Sequence, residues 1–367
     1  MLGALLTNIT HNLFKPLLLF FYMGFAIPLL RVPFEFPKQI YQGLTLYLLV
    51  AIGWHGGEEL ASLSSGELSQ ALGFMLVGFF TNLGIGLLAY KILRKVTKLR
   101  HVDTAAIAGY YGSDSAGTFV TALGVLTATN IAFAAYMPVM LAVMEIPGCL
   151  VALLLIARLR RKGMDAHGNM PGEPGYSGPR ASAEGMSHSI FSAEVLRDVF
   201  LNPGLFLLLG GILVGYIAGL QGPNVTKADD ILFVDLFQGI LCLFLLEMGM
   251  TAAHQLRDIR RGGLPLILFG ILAPNLFATI GMLMAHAYSW TIGAVFPVGT
   301  YVLFAVLSGA ASYIAVPAIQ RIAFPEASPT LPLAASLGLT FSYNVTIGIP
   351  IYISIATWLT QALPIHG

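Results

Sequence analysis

Gly109-Tyr110-Tyr111-Gly112-Ser113-Asp114-Ser115-Ala116-Gly117-Thr118-Phe119 lies inside a long apolar stretch, yet it carries a carboxylate, two serines and three glycines. Glycine permits backbone geometry that a regular helix resists, and serine and threonine compete for backbone hydrogen bonds, so this run predicts an interrupted helix. An interruption in hydrocarbon leaves amide groups unpaired and is tolerated only where protein or a cavity surrounds it. The second half-helix then aims the positive end of its dipole into the break, which suits an anion. Small residues also allow membrane helices to pack closely, and that use of the run stays open.

The rest of the chain supplies the membrane setting. Of 367 residues 56% are hydrophobic and only 10% are charged, against roughly 25% charged in a soluble domain. A water-soluble globule is excluded, and a formal charge of +1 offers nucleic acid no basic face. Crossing a hydrocarbon core takes about 20 apolar residues of helix. Such stretches occur ten times, near residues 13–30, 40–57, 72–91, 104–127, 132–157, 203–220, 233–252, 264–287, 297–319 and 333–361. The first has no small-residue cleavage site behind it and is expected to be a span rather than a removed signal. Fourth, ninth and tenth are too rich in Gly, Ser, Thr and Pro to be plain lipid-facing helices.

Lys and Arg fix the expected orientation, because cytoplasmic connections carry their excess. With residues 158–201 inside, 17 of the 19 positives fall on the cytoplasmic face and only Lys15 and Lys227 fall opposite, with both termini outside. The stretch 163–195 is rich in Gly, Pro, Ser and Met and poor in apolar surface, so a flexible cytoplasmic linker is expected there. It separates a first five-helix unit, 1–157, from a second, 202–367.

The two units share an ordered set of features. Ile52-Gly53 through Leu60 matches Met248-Gly249 through Leu256; Asn82 and Asn275 follow, then Gly112 to Thr118 and Ser308 to Tyr313, then Ile146-Pro147 and Ile349-Pro350. A duplicated unit of five spans must enter the membrane from opposite sides. The expected fold is therefore an all-α integral membrane protein: two inverted five-helix repeats whose interrupted spans, four and nine, face one another near the midplane, as in secondary transporters.

Three carboxylates fall within spans: Asp114, Glu145 and Glu247. Each costs roughly 2.5–3.5 kcal/mol at the bilayer centre on insertion scales, so it marks an ion or proton path by default. Asp114 lies in the broken span, and Glu145 stands beside Pro147, where backbone carbonyls are freed. Together with Ser115, Ser312, Asn344 and Thr346 they offer the oxygen ligands of a hard cation, and sodium is expected, with a protonated or structurally bonded carboxylate as the alternative. Glu247 suits gating as well as ligation. No metal-binding histidine spacing, nucleotide-binding glycine motif or nucleophile elbow is present, and Cys149 and Cys242 form no CxxC pair, so an enzyme is not expected.

The run at 109–119 resembles the SbtA-type sodium-dependent bicarbonate transporter family, and the likeness continues at Met144-Glu145-Ile146-Pro147-Gly148 and Leu245-Leu246-Glu247-Met248-Gly249-Met250. It extends through Ala311-Ser312-Tyr313-Ile314-Ala315-Val316-Pro317-Ala318, Phe324-Pro325-Glu326-Ala327-Ser328-Pro329 and Ser342-Tyr343-Asn344-Val345-Thr346-Ile347-Gly348-Ile349-Pro350, covering both units but not the linker. The resemblance implies inward symport of Na+ and bicarbonate across a bacterial inner membrane, with a core domain moving against a gate or scaffold domain. It also implies a homotrimer and, for some members, a PII-like cytoplasmic regulator. Carried to this chain, Gly112, Ser113, Ser115, Ala116 and Gly117 face the anion opposite Ser312 and Tyr313, and sodium lies near Glu145, Asn344 and Thr346. Two positions depart from the family pattern: Tyr313 stands where members carry an acid, and Asp114 where they carry an apolar residue. A permease for another small carboxylate or oxyanion, proton coupling through Asp114, and a sensor without flux remain alternatives.

Overall fold

A computed structural model of the chain describes residues 14–179, 197, 203–256 and 262–365. Helix makes up 78% of the structure, and no strand occurs among the described residues. The first half holds α1 (Pro16–Leu29), α2 (Lys38–Leu60), α3 (Ser65–Val96), α4 (His101–Tyr111), α5 (Ala116–Ala128) and α6 (Met137–Arg161). The second holds α7 (Pro203–Gln221), α8 (Pro223–Asp230), α9 (Phe237–Gln255), α10 (Gly263–Ile292), α11 (Val298–Gly309), α12 (Ala315–Ala323), α13 (Thr330–Leu333) and α14 (Ile349–Ala362). Wide helical turns over Ile231–Asp235, Ala334–Phe341 and Asn344–Gly348 complete the longer passages of the second half. By length and composition six passages can each cross a membrane: Ser65–Val96, Met137–Arg161, Pro203–Gln221, Pro223–Gln255, Gly263–Ile292 and Thr330–Ala362.

Local chemistry sets several ends. Ser64 Oγ accepts the Glu67 N–H at 3.4 Å while the Glu67 carboxylate accepts the Ser64 N–H at 2.8 Å, a reciprocal cap that starts α3. Arg94 and Lys95 in its last turn oppose the negative end of the helix dipole.

Lipid provides no hydrophobic drive between helices, so close backbone packing holds them together. α2 lies along α7, with Gly53 and Gly57 against Gly211 and Gly215; a methyl group on Gly53 would sit 2.9 Å from the Gly211 Cα. α1 lies along α9 in the same way, Gly24 meeting the backbone of Leu246 and Gly249 that of Phe21. On the other side of the molecule α3 packs with α4 and α6, and α10 with α11. Phe74 ties these groups together, stacking on Tyr288 at 5.4 Å and on Phe304 at 4.6 Å.

Residues 163–179, the start of the stretch expected to be a linker, carry a hydrogen-bonded fold of their own. The Asp165 carboxylate accepts the N–H groups of His167, Asn169 and Ser177 at 2.9, 2.8 and 3.0 Å. Glu173 accepts those of His101 and Met170 at 2.9 and 2.8 Å. Burial works against both charges, yet these donors outweigh it, holding Glu173 below the ordinary carboxylate value and Asp165 at about 2. Arg100 binds Asp103 and the His167 carbonyl, while Arg160 reaches the Glu326 carboxylate at 2.8 Å and the Ala323 carbonyl. Arg100, which also reaches the Glu326 carbonyl at 3.3 Å, thereby ties the segment and the start of α4 to the loop after α12. Composition shows the scarcity of apolar surface here but not these polar acceptors. The remainder of the expected linker, with Arg180, lies outside the described residues, as does 257–261 with Arg257, Arg260 and Arg261.

Candidate functional site

The helix that the opening run interrupts stops at Tyr111 and resumes at Ala116. Ser115 is extended, with φ −136° and ψ 110°, and its hydroxyl oxygen accepts the Thr118 N–H at 3.2 Å and the Thr118 hydroxyl at 2.9 Å. This cap satisfies one donor of the new helix end; helix geometry leaves the first amides of α5 without an intrahelical partner. A second interruption separates α11 from α12, where Ala310 is extended and Ser312 Oγ accepts the Val316 N–H at 3.4 Å. The two breaks meet, because the Ser312 N–H donates to the Tyr110 carbonyl at 2.8 Å.

α6 is pressed onto the first break. A methyl group on Gly148 would lie 2.5 Å from the Ser113 nitrogen, so a side chain there would drive the two apart. Pro147 within α6 withdraws a ladder N–H, and Ser113 donates its hydroxyl to the nearby Glu145 carbonyl at 2.7 Å.

Asp114 is the unusual member. It is 2% exposed, and neither carboxylate oxygen has a hydrogen-bond donor. Glu145 lies within electrostatic reach of it. Buried acceptors without donors are costly, so Asp114 calls for a proton or a positive partner, and with Glu145 it offers the oxygen type a hard cation takes.

Asn82 of α3 joins this group without having been singled out as a ligand. Its side chain is buried, donating to the Met144 carbonyl at 3.0 Å and the Leu307 carbonyl at 3.4 Å, and its Oδ1 is left without a partner. Its own carbonyl packs on Gly112. The available sign was a carboxamide repeated with Asn275 within apolar helix, read only as a mark of duplication. Asn275 itself is engaged elsewhere, accepting the Tyr343 hydroxyl at 2.7 Å.

The structure therefore brings Gly112, Ser113, Asp114, Ser115, Ala116 and Gly117 together with Glu145, Ser312 and Tyr313. The Tyr313 hydroxyl lies at Ser115 and Gly117 without a well-formed hydrogen bond, and a methyl group on Gly117 would overlap it. The Asn344 side chain donates to the Gly309 carbonyl at 3.0 Å and accepts the Tyr352 hydroxyl at 2.7 Å. The Thr346 hydroxyl turns back onto its own helix, to the Ser342 carbonyl at 2.6 Å. Glu247, in α9, accepts the Thr251 hydroxyl at 2.6 Å.

A family model described as the Na+-dependent bicarbonate transporter superfamily matches residues 16–357, from α1 into α14, and takes in both breaks. No curated protein matches the chain.

Proposed function

The chain belongs to that superfamily, and from this premise we propose that it carries bicarbonate into the cell together with Na+. The observation that carries the reading is the meeting of two interrupted helices beside a buried Asp114 that lacks any donor. The α5 end, with Ser113, Ser115, Ala116 and Gly117, is the side suited to the anion. Asp114 and Glu145, with Asn82 as a further oxygen, are suited to the cation. Asn344 and Thr346 keep oxygen lone pairs beside the bonds they make and stay in the proposed cation set.

Coupling follows from electrostatics. An interior negative by 100 mV opposes the inward passage of one negative charge by about 2.3 kcal/mol, whereas an anion moving with one Na+ does no such work. The sodium gradient then drives accumulation.

Packing supports the inverted-repeat reading. The first helix of each half lies on the second helix of the other, α1 on α9 and α7 on α2, as a pseudo-two-fold axis requires. We assign α1, α2, α7, α8 and α9 to a scaffold, and α3–α6 with α10–α14 to a core that rises and falls against it. The inner membrane, external termini, homotrimer and PII-like regulator belong to the same proposal.

The test is uptake of labelled bicarbonate into proteoliposomes holding the purified chain. An inward Na+ gradient is expected to drive it, and choline in place of sodium to abolish it. Equal uptake in both media would reject the coupling, and proton-driven uptake of another carboxylate would establish the alternative.

A further inference from the structure

A cavity of about 760 Å³ opens beneath the α1–α2 connection, where Arg31, Glu35 and His254 line its mouth and Thr251 and Glu247 its depth. It stands apart from the breaks, and nothing in the transport reading so far requires it. Three observations join the two.

First, His254, Thr251, Glu247 and Phe244 are spaced by three, four and three residues along α9, so they form one stripe on that helix. Ten residues of helix rise about 15 Å, which is about half the 30 Å hydrocarbon core. The stripe thus leads from the face of the molecule to the depth at which a mid-membrane break lies.

Second, the stripe ends on the break itself. The Phe244 ring lies against Gly117, in the first turn of α5, and stacks on Tyr41 at 6.0 Å between centroids. Tyr313 completes the aromatic cover, its hydroxyl on Gly117 and its ring edge-on to Phe341 at 5.7 Å. Glu247 is within electrostatic reach of both Tyr41 and Tyr313.

Third, the far carboxylate oxygen of Glu247 is buried and has no donor, although Thr251 serves the near one. A buried acceptor of this kind needs water or a cation, so the inner end of the cavity is wet or charged rather than sealed by packing.

We propose that this cavity is the solution-side route to the broken helices and that the Tyr313 phenol is the gate at its inner end. The gate lies on the α5 terminus that an anion would otherwise occupy, so solute and phenol exclude one another. The inference rests on the reading of the breaks as the solute site.

The test uses single-cysteine chains in which Cys149 and Cys242 are replaced, reconstituted in vesicles, with a membrane-impermeant cationic thiol reagent on the side of the α1–α2 connection. Thr251→Cys is expected to react readily whatever stands at 313. Ser115→Cys is expected to react slowly beside Tyr313. A gate open in about one molecule in ten or fewer makes Tyr313→Ala speed that reaction by about tenfold or more. Tyr313→Phe, which keeps the ring on Phe341, is expected to stay close to the parent. Unchanged Thr251→Cys reactivity reports that each gate variant is folded, and Tyr313→Leu substitutes if the alanine variant is not. An unreactive Thr251→Cys, or a Ser115→Cys rate indifferent to residue 313, overturns the route. Labelling needs no flux: loss of sodium-driven uptake with this labelling pattern intact would strike the transport reading alone.

Discussion

The two helix interruptions touch one another and yet differ in what they hold. The first is short, capped by Ser115 and carries the buried Asp114 beside Glu145. The second has no side-chain N-cap, Ser312 only accepting the Val316 N–H four residues on, and it carries a phenol, not an acid, which lies over the first helix end. The two breaks thus carry unlike side chains: a buried carboxylate in the first, a phenol in the second. Two helix ends are thereby brought to one place with different chemistry at each.

The largest expected effect tests the charge. A contact to a charged group is worth about 1.5–3 kcal/mol, so Asp114→Asn is expected to lower sodium-stimulated bicarbonate uptake by about ten- to a hundredfold. Undiminished uptake would move the cation away from the first break and dissolve the contrast. Asn82→Ala comes next. It leaves the Met144 and Leu307 carbonyls without their donor, at a cost of about 1–3 kcal/mol in unfolding free energy measured in detergent. A neutral result would remove Asn82 from the group around Asp114.

The caps sharpen the comparison. Ser115→Ala is expected to cost about 1 kcal/mol of stability, and Ser312→Ala less, because Ser312 is not the N-cap of its helix and its contact is longer, 3.4 Å against 3.2 Å. Equal melting shifts would show the two helix ends to be equivalent. The smallest effect lies outside the membrane. Glu173 is held below its ordinary value, so its contribution to the 163–179 segment is complete above about pH 4.3 and fades as pH falls through the lower folded value. Asp165, at about 2, gives way last. Protection of residues 163–177 against hydrogen exchange, relative to the intrinsic rate at each pH, is expected to fall on acidification; protection unchanged to pH 2 would show that these carboxylates do not hold the segment.

The helical fold and the first break were legible because hydropathy and a run such as Gly112-Ser113-Asp114-Ser115 are local signals. What sequence could not reveal is which acceptors would be left without donors. Asn82, Asn275 and Asn344 are the same residue type in similar apolar surroundings, yet Asn82 alone of these three retains a buried oxygen with no partner, since Tyr343 and Tyr352 occupy the others. The Thr346 hydroxyl donates its proton to the Ser342 carbonyl, a local bond that sequence does not display. The order in residues 163–179 was hidden for the same reason, since Asp165 and Glu173 find their donors in backbone amides that composition does not count.

The central claim is that the paired breaks bind anion and cation as neighbours. Its most direct test is a thermodynamic cycle on the purified chain: bicarbonate affinity measured in sodium and in choline, and sodium affinity measured with and without bicarbonate. Neighbouring charges predict that each solute strengthens the other by the same factor, and that Asp114→Asn reduces that factor toward one. Affinities for bicarbonate that are identical in sodium and in choline would contradict the account.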